Sequence, residues 1–194
     1  MTIALRCRCG KLRGQVDTAR VAARAVCYCK DCQAFGHFLG PGALDAAGGT
    51  EVAATLPAAV RFDAGLEHLA CMSLSPKGLY RWYASCCRTP VGTTPRDRRT
   101  SYVGVIRACL DASPEEMDRL LGPLGAHVNT KSATRPVKPG GIATVGVVAR
   151  VGLMLLKARL GGGYRDNPFF QPGASAPLRE PRMLTREERA ALTR

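Results

Sequence analysis

No stretch of 18 apolar residues free of charge occurs in this 194-residue chain, and that absence excludes an ordinary membrane-spanning helix. Nor is there room ahead of the first cysteine for the apolar core of a secretory signal, because only MTIALR precedes Cys7. The chain is therefore expected in the reducing cytoplasm, where disulfides are rare. Acidic residues are also scarce. Fifteen Asp and Glu stand against 28 Lys and Arg, a net charge of +13 that permits nucleic acid, anionic lipid or acidic small molecules as partners. A basic tail is lacking: residues 1–100 carry 14 basic and 7 acidic side chains, and residues 101–194 carry 14 and 8. An excess spread so evenly argues against nucleic acid as a partner.

What is present is an ordinary globular composition, 46% hydrophobic and 22% charged, which can bury a core. Residues 1–110 hold all nine cysteines and most Gly-centred turns, so they read as a β-rich domain. Its expected strands are Thr2–Cys7, Arg13–Val16, Ala25–Tyr28, Val60–Phe62, Glu67–Leu74, Leu79–Ala84 and Tyr102–Ile106. Cys9-Gly10-Lys11 and Ser75-Pro76-Lys77-Gly78 supply hairpin turns. Leu39–Leu56, rich in Gly and Ala, reads as a loop with one short strand near Val52. Residues 111–194 read as a helical C-terminal extension. Ser113-Pro114-Glu115-Glu116 has the offsets of a capping box, and Thr185-Arg186-Glu187-Glu188 repeats it. Between them lie a linker at 127–141 and an apolar helix at Ile142–Leu160.

In a reducing compartment the cysteines must be metal ligands, nucleophiles or buried apolar groups. They fall into Cys7-x-Cys9, Cys27-x-Cys29-x-x-Cys32 and Cys86-Cys87. Thiolates so close on a strand-to-turn segment can point at one ion, and zinc takes four of them tetrahedrally. Cys7 and Cys9 need partners from elsewhere, and Cys86 and Cys87 can supply them, which gives a closed structural site. Cys27, Cys29 and Cys32 form a three-thiolate set with a fourth position left over, the arrangement of a catalytic zinc. Cys71 and Cys109, isolated in apolar strand patterns, read as small buried groups.

Cys7-x-Cys9-Gly10-Lys11-Leu12-Arg13-Gly14, Cys27-x-Cys29-x-x-Cys32 and Tyr83-x-x-x-Cys87-x-Thr89-Pro90-Val91 together resemble the glutathione-dependent formaldehyde-activating enzyme and centromere protein V family over residues 3–107. The resemblance implies a β-tent of small antiparallel sheets around zinc. It also implies structural ligands at Cys7, Cys9 and Cys87, and a catalytic-type zinc at Cys27, Cys29 and Cys32. The activity implied is that of a carbon–sulfur lyase acting on an adduct of an aldehyde with a glutathione-type thiol. Two departures mark a divergent branch. Ala84 stands where the family's last motif, Cys-x-x-Cys-Gly, has its first Cys, so Cys86 becomes the candidate fourth ligand. Tyr28 replaces the His of a usual Cys-His-Cys.

The expected cofactors are two zinc ions, one structural and one catalytic, and the expected partner is a small-molecule thiol or thiol adduct. The alternative is a non-enzymatic, zinc-stabilised binding module for nucleic acid or another acidic partner. His37 could serve the open metal position or simply be a hydrogen-bonded loop residue. Lys30 and the Arg96, Arg98, Arg99 patch are candidates to offset thiolate charge or hold a carboxylate. His68 and His127 read as structural. Helix 142–160 could lie on a membrane surface or pack on the β unit or on a twin subunit, in a homodimer.

Overall fold

Buried and outward-facing residues alternate along the strands Thr2–Arg6, Arg13–Asp17 and Val60–Ala64, whereas Thr89–Thr94 and Val103–Ile106 are buried along their whole length. The computed structural model describes residues 1–193, so the last residue of the 111–194 extension lies outside the described residues. Strands β1 (Thr2–Arg6), β2 (Arg13–Asp17) and β5 (Val60–Ala64) form a three-stranded antiparallel sheet in the order β1-β2-β5. A second sheet of eight strands collects β3 (Ala23–Cys27), β4 (Thr50–Thr55), β6 (Leu69–Ser73), β7 (Tyr80–Ala84), β8 (Thr89–Thr94), β9 (Val103–Ile106), β10 (Leu124–Val128) and β11 (Arg182–Met183). Its order is β10-β3-β4-β9-β8-β7-β6-β11. The fold is mainly β with two sheets. Among the described residues four α-helices complete it: α1 (Lys30–Leu39), α2 (Pro114–Leu121), α3 (Gly141–Leu160) and α4 (Arg186–Leu192).

Strand β7 shows why the large sheet is covered on both faces. Tyr80, Trp82 and Ala84 point into a core shared with Ile3, Leu5 and Val16 of the small sheet. Trp82 is fully buried, packed against Phe169 at 5.3 Å between ring centroids, and donates its indole N–H to Thr94 at 2.9 Å. The intervening Tyr83 faces a second core formed with Phe35 and Leu39 of α1, Met72 of β6 and Leu184. A strand buried on both sides in this way needs cover from two layers, here the small sheet and α1.

Several sequence expectations are corrected. The segment after Cys29 is a ten-residue helix, α1, and not only a turn. Glu67 and His68 sit in a 3₁₀ turn before β6 rather than in the strand. Strand β8 was not anticipated because Pro90 and Gly92 argue against a central strand. Pro90 is accommodated where the β7–β8 register shifts, between Trp82 and Tyr83. Residues beyond 110 are not only helical. Strand β10, partly inside the expected linker, pairs parallel with β3, and β11 pairs parallel with β6, so this segment supplies both edges of the large sheet. Both capping boxes form, at Ser113 with Glu116 and at Thr185 with Glu188. Finally, α3 is long and apolar enough to cross a membrane by length and composition, with mean hydropathy 1.6 and 11% of its best window buried. A charge-free run is too strict a criterion to exclude it.

Candidate metal centres

Four cysteines meet where the two sheets come together. Cys7 follows β1, and Gly10, in the left-handed region at φ 72°, turns the chain so that Cys9 faces the same point. The β7–β8 turn brings Cys86 and Cys87 to them. Thiolates about 2.3 Å from a tetrahedral metal stand about 3.8 Å apart. The Sγ separations are 3.8 Å for Cys7–Cys86, 3.8 Å for Cys86–Cys87, 3.5 Å for Cys7–Cys9 and 3.3 Å for Cys9–Cys86. The donor set therefore fits a metal ion, and Cys86 belongs to it. N–H and O–H groups surround the sulfurs: Leu12 N–H donates to Cys7 Sγ at 3.3 Å, and Cys87 Sγ lies 3.1 Å from the Thr89 hydroxyl. Burial pushes the Cys87 thiol up, but hydrogen bonds from Thr89 and the backbone N–H of Cys9 outweigh it and bring the group down to about 6. Burial and the neighbouring thiols of Cys9, Cys7 and Cys87 raise Cys86 instead.

The second cluster is local. Cys27 ends β3, Cys29 caps α1 and Cys32 sits in its first turn, with all three sulfurs within 4.8 Å of one another. Cys29 Sγ accepts from Cys32 N–H at 3.4 Å, so a thiolate here faces the positive end of a ten-residue helix. Hydrogen bonds from Cys29 and then Cys32 lower the Cys27 thiol, and the same sharing raises Cys32. Among the described residues no further Cys, His, Asp or Glu joins this group, and each of its cysteines is half-buried.

Its surroundings come from distant parts of the chain. Parallel pairing of β10 with β3 sets Val128 beside Cys27, and the next residue, Asn129, donates from Nδ2 to Cys27 Sγ at 3.4 Å. Gln33 ties this corner down by donating to Tyr28 O at 2.7 Å and Ser132 O at 2.6 Å. Arg81, 2% exposed on β7, lies over Phe35 of α1 and close enough to favour the Cys32 thiolate. Its Nε and Nη1 find no partner among the described residues, while Nη2 reaches Asp31 at 3.8 Å. Tyr102 is pushed up to about 12 by burial and by the charges of Cys27 and Cys32, so its hydroxyl stays protonated. The sequence reading missed all three residues.

Other candidates are placed elsewhere. His37 lies outside the cluster, with Nδ1 2.8 Å from Leu192 O of α4. Arg96 donates to Gly78 O, Tyr80 Oη and Ser73 Oγ, and Arg98 donates to Ala174 O and Arg165 O. These two therefore brace a hairpin and the C-terminal segment rather than forming an open anion site, and Arg81 takes the place next to the thiolates. Lys30 is exposed at the start of α1. Tyr28, where the resembled family has His, is buried and directs its hydroxyl to Asp45 at 3.4 Å. His127 packs edge-on against its ring, and His68 rests 3.5 Å from Glu67. Cys71 and Cys109 are buried apolar groups, each pushed up to about 12 chiefly by burial.

Residues 1–180 match the profile described as Family of unknown function (DUF6151). The chain belongs to that family. The DUF6151 match takes in all seven clustered cysteines together with Arg81, Tyr102 and Asn129, and it stops before α4. Comparison with curated proteins finds no match.

Proposed function

We propose that this DUF6151 protein is a zinc-dependent, carbon–sulfur lyase-like enzyme of the β-tent type, acting on the adduct of an aldehyde with a glutathione-type thiol in the cytoplasm. The observation that carries the reading is the three-cysteine group. It has soft donors at a helix N-terminus, one ligand fewer than a closed tetrahedron, and a buried arginine with unbonded N–H groups beside it. Cys27, Cys29 and Cys32 would hold this zinc, and Cys7, Cys9, Cys86 and Cys87 a structural one. Soft thiolates at tetrahedral spacing favour zinc over hard cations. A zinc ion with three thiolates supplies, when bound, a place where a substrate thiol loses its proton near neutral pH.

The chain's own groups provide the rest. Three thiolates against one divalent cation leave about one negative charge, which repels an incoming thiolate. The Arg81 guanidinium offsets that repulsion. Asn129 Nδ2 fixes the Cys27 sulfur through its hydrogen bond, and Tyr102 holds a proton that a carbonyl oxygen can take. In adduct formation the thiol sulfur bonds to the aldehyde carbon, the thiol proton is released and the former carbonyl oxygen gains a proton. No electrons are exchanged with a third party, and cleavage is the reverse. Half-buried cysteines suit a thiol carried at the end of a flexible molecule.

The test is titration of the cobalt-substituted protein with glutathione, read by thiolate-to-metal absorption. The expected result is a saturable change in the wild type and in His37→Ala, and a weaker one in Arg81→Met. No change with glutathione or other small thiols would remove the lyase reading and leave a zinc-stabilised binding module for an acidic partner.

A further inference from the structure

Helix α3 is apolar on two sides. Its inner side packs Val147 and Val151 on Ala23 and Ala126 of the large sheet. At 3.6 residues per turn, Ile142, Val145, Leu153, Leu156 and Leu160 share the opposite side. All are more than half exposed, from Leu153 at 53% to Ile142 at 91%. Arg150 and Lys157 flank this stripe on one edge and Arg159 on the other. Charge along this stretch of chain has one sign: from Arg119 to Arg165 it holds eight Lys and Arg and no Asp or Glu, and near the helix Asp17 pairs with Arg20 at 3.3 Å.

A cavity of about 530 Å³ runs alongside the same helix. Val21, Leu56 and Met154 give it an apolar floor, and Arg20, Arg150 and Lys157 stand at its rim. An aliphatic face bordered by cations, next to an apolar cleft with a cationic rim, complements anionic headgroups above acyl chains. A second copy of this face would bring like charges together. A span would take Arg150, Lys157 and Arg159 into hydrocarbon and strip Val147 and Val151 from the sheet.

We propose that the outer face of α3 docks on the surface of an anionic bilayer, with the helix lying in the interfacial plane, its aliphatic stripe among the acyl chains and Arg150, Lys157 and Arg159 at the headgroups. The metal-loaded full chain is mixed with phosphatidylcholine vesicles containing about 30% phosphatidylserine and sedimented. It should pellet with them, and should bind pure phosphatidylcholine at least about tenfold more weakly. Arg150→Glu with Lys157→Glu, and separately Leu153→Ser with Leu156→Ser, should each weaken binding about tenfold while leaving metal content and melting unchanged. The charge pair keeps the test decisive if the leucine pair disturbs folding. Equal binding to neutral vesicles, or wild-type binding by the charge variant, overturns the proposal. Two other outcomes also overturn it: a dimer that the leucine variant splits and that does not pellet, in which a second copy covers the face, and a pellet that survives alkaline carbonate, which marks a span.

Discussion

The two cysteine clusters use the same donor atom but draw their ligands from different distances. Cys7 and Cys9 lie 79 and 77 residues from Cys86. They follow a strand of the small sheet, whereas Cys86 and Cys87 join two strands of the large one. A metal there links the two sheets where Arg8 N–H, just after β1, also donates to Thr89 of β8 at 3.0 Å, and it closes a long loop of the unfolded chain. Cys27, Cys29 and Cys32 come from one strand–helix corner and link nothing remote. On the proposed reading the first site acts as a staple, and the second is expected to tolerate alteration without loss of the fold.

The largest effect that separates them is loss of one cluster's metal. Chelation should unfold the protein cooperatively, because structural metal–thiolate binding contributes on the order of 10 kcal/mol, and Cys7→Ser, which removes the buried ligand of the four, should lower the melting temperature sharply. Cys32→Ser should lose one metal equivalent and shift melting by no more than a few degrees. Metal analysis alongside thermal melts checks this, and equal destabilisation by the two variants would refute the division of roles.

Next in size is Cys86→Ala. Its sulfur lies within 3.8 Å of those of Cys7, Cys9 and Cys87, and Ala84, two residues earlier, has no donor. Loss of one of four thiolates should cost a few kcal/mol and weaken metal binding in this cluster alone. Unchanged occupancy and melting would reduce Cys86 to a bystander.

A lone cysteine sharpens the contrast from the alkaline side. Burial raises the Cys71 thiol from 9.0 to about 12 in the folded chain. A raised group contributes stability that is fully present below the unfolded value and is lost as pH climbs through the folded one, so the loss falls between about pH 9 and 12. It amounts to about 2–4 kcal/mol, and Cys71→Ala should flatten this limb of the stability curve. Thiols already held as metal-bound thiolates have no proton to lose there, so their metal-loaded clusters should add nothing to it. An alkaline limb identical in Cys71→Ala and wild type would count against the assignment.

Much of this was legible in the sequence, for physical reasons that also mark its limits. Short apolar or aromatic runs beside Gly-centred turns revealed β1, β2 and β7, and capping chemistry located α2 and α4, because those signals are local. The local groups Cys7/Cys9, Cys27/Cys29/Cys32 and Cys86/Cys87 could be read from spacing, since a thiolate reaches only a few ångströms, whereas joining the first to the last rested on ligand count and on the resemblance. Helix α1 escaped because its cap is Cys29, whose thiol does the work usually given to Ser or Asp. Strand β10 escaped because five unremarkable residues, Leu124–Val128, become a strand only against β3. With β10 went Asn129, and Arg81 and Tyr102 were invisible for the same reason: sheet topology, not sequence proximity, brings them to Cys27 and Cys32.

The smallest effect concerns a residue that joins the two clusters. Arg88, directly after Cys87, has φ 55°, a left-handed conformation that costs a non-glycine residue about 1 kcal/mol. The resembled motif carries Gly here. Arg88 offsets part of the strain by donating from Nη1 to Phe38 O at 3.1 Å and lying over the Phe38 ring at 5.7 Å, which ties the four-cysteine turn to the end of α1. Both contacts are exposed and contribute about 0.5–1 kcal/mol each. Arg88→Gly removes strain and contacts together, so its melting temperature should stay near that of wild type. Arg88→Ala removes the contacts but keeps the strain, and should be less stable than Arg88→Gly by about 1 kcal/mol. The Gly–Ala difference isolates the backbone term, because neither side chain reaches Phe38. Equal stability of the two variants would mean that the turn relaxes out of the left-handed region and that the contacts alone hold Arg88 in place.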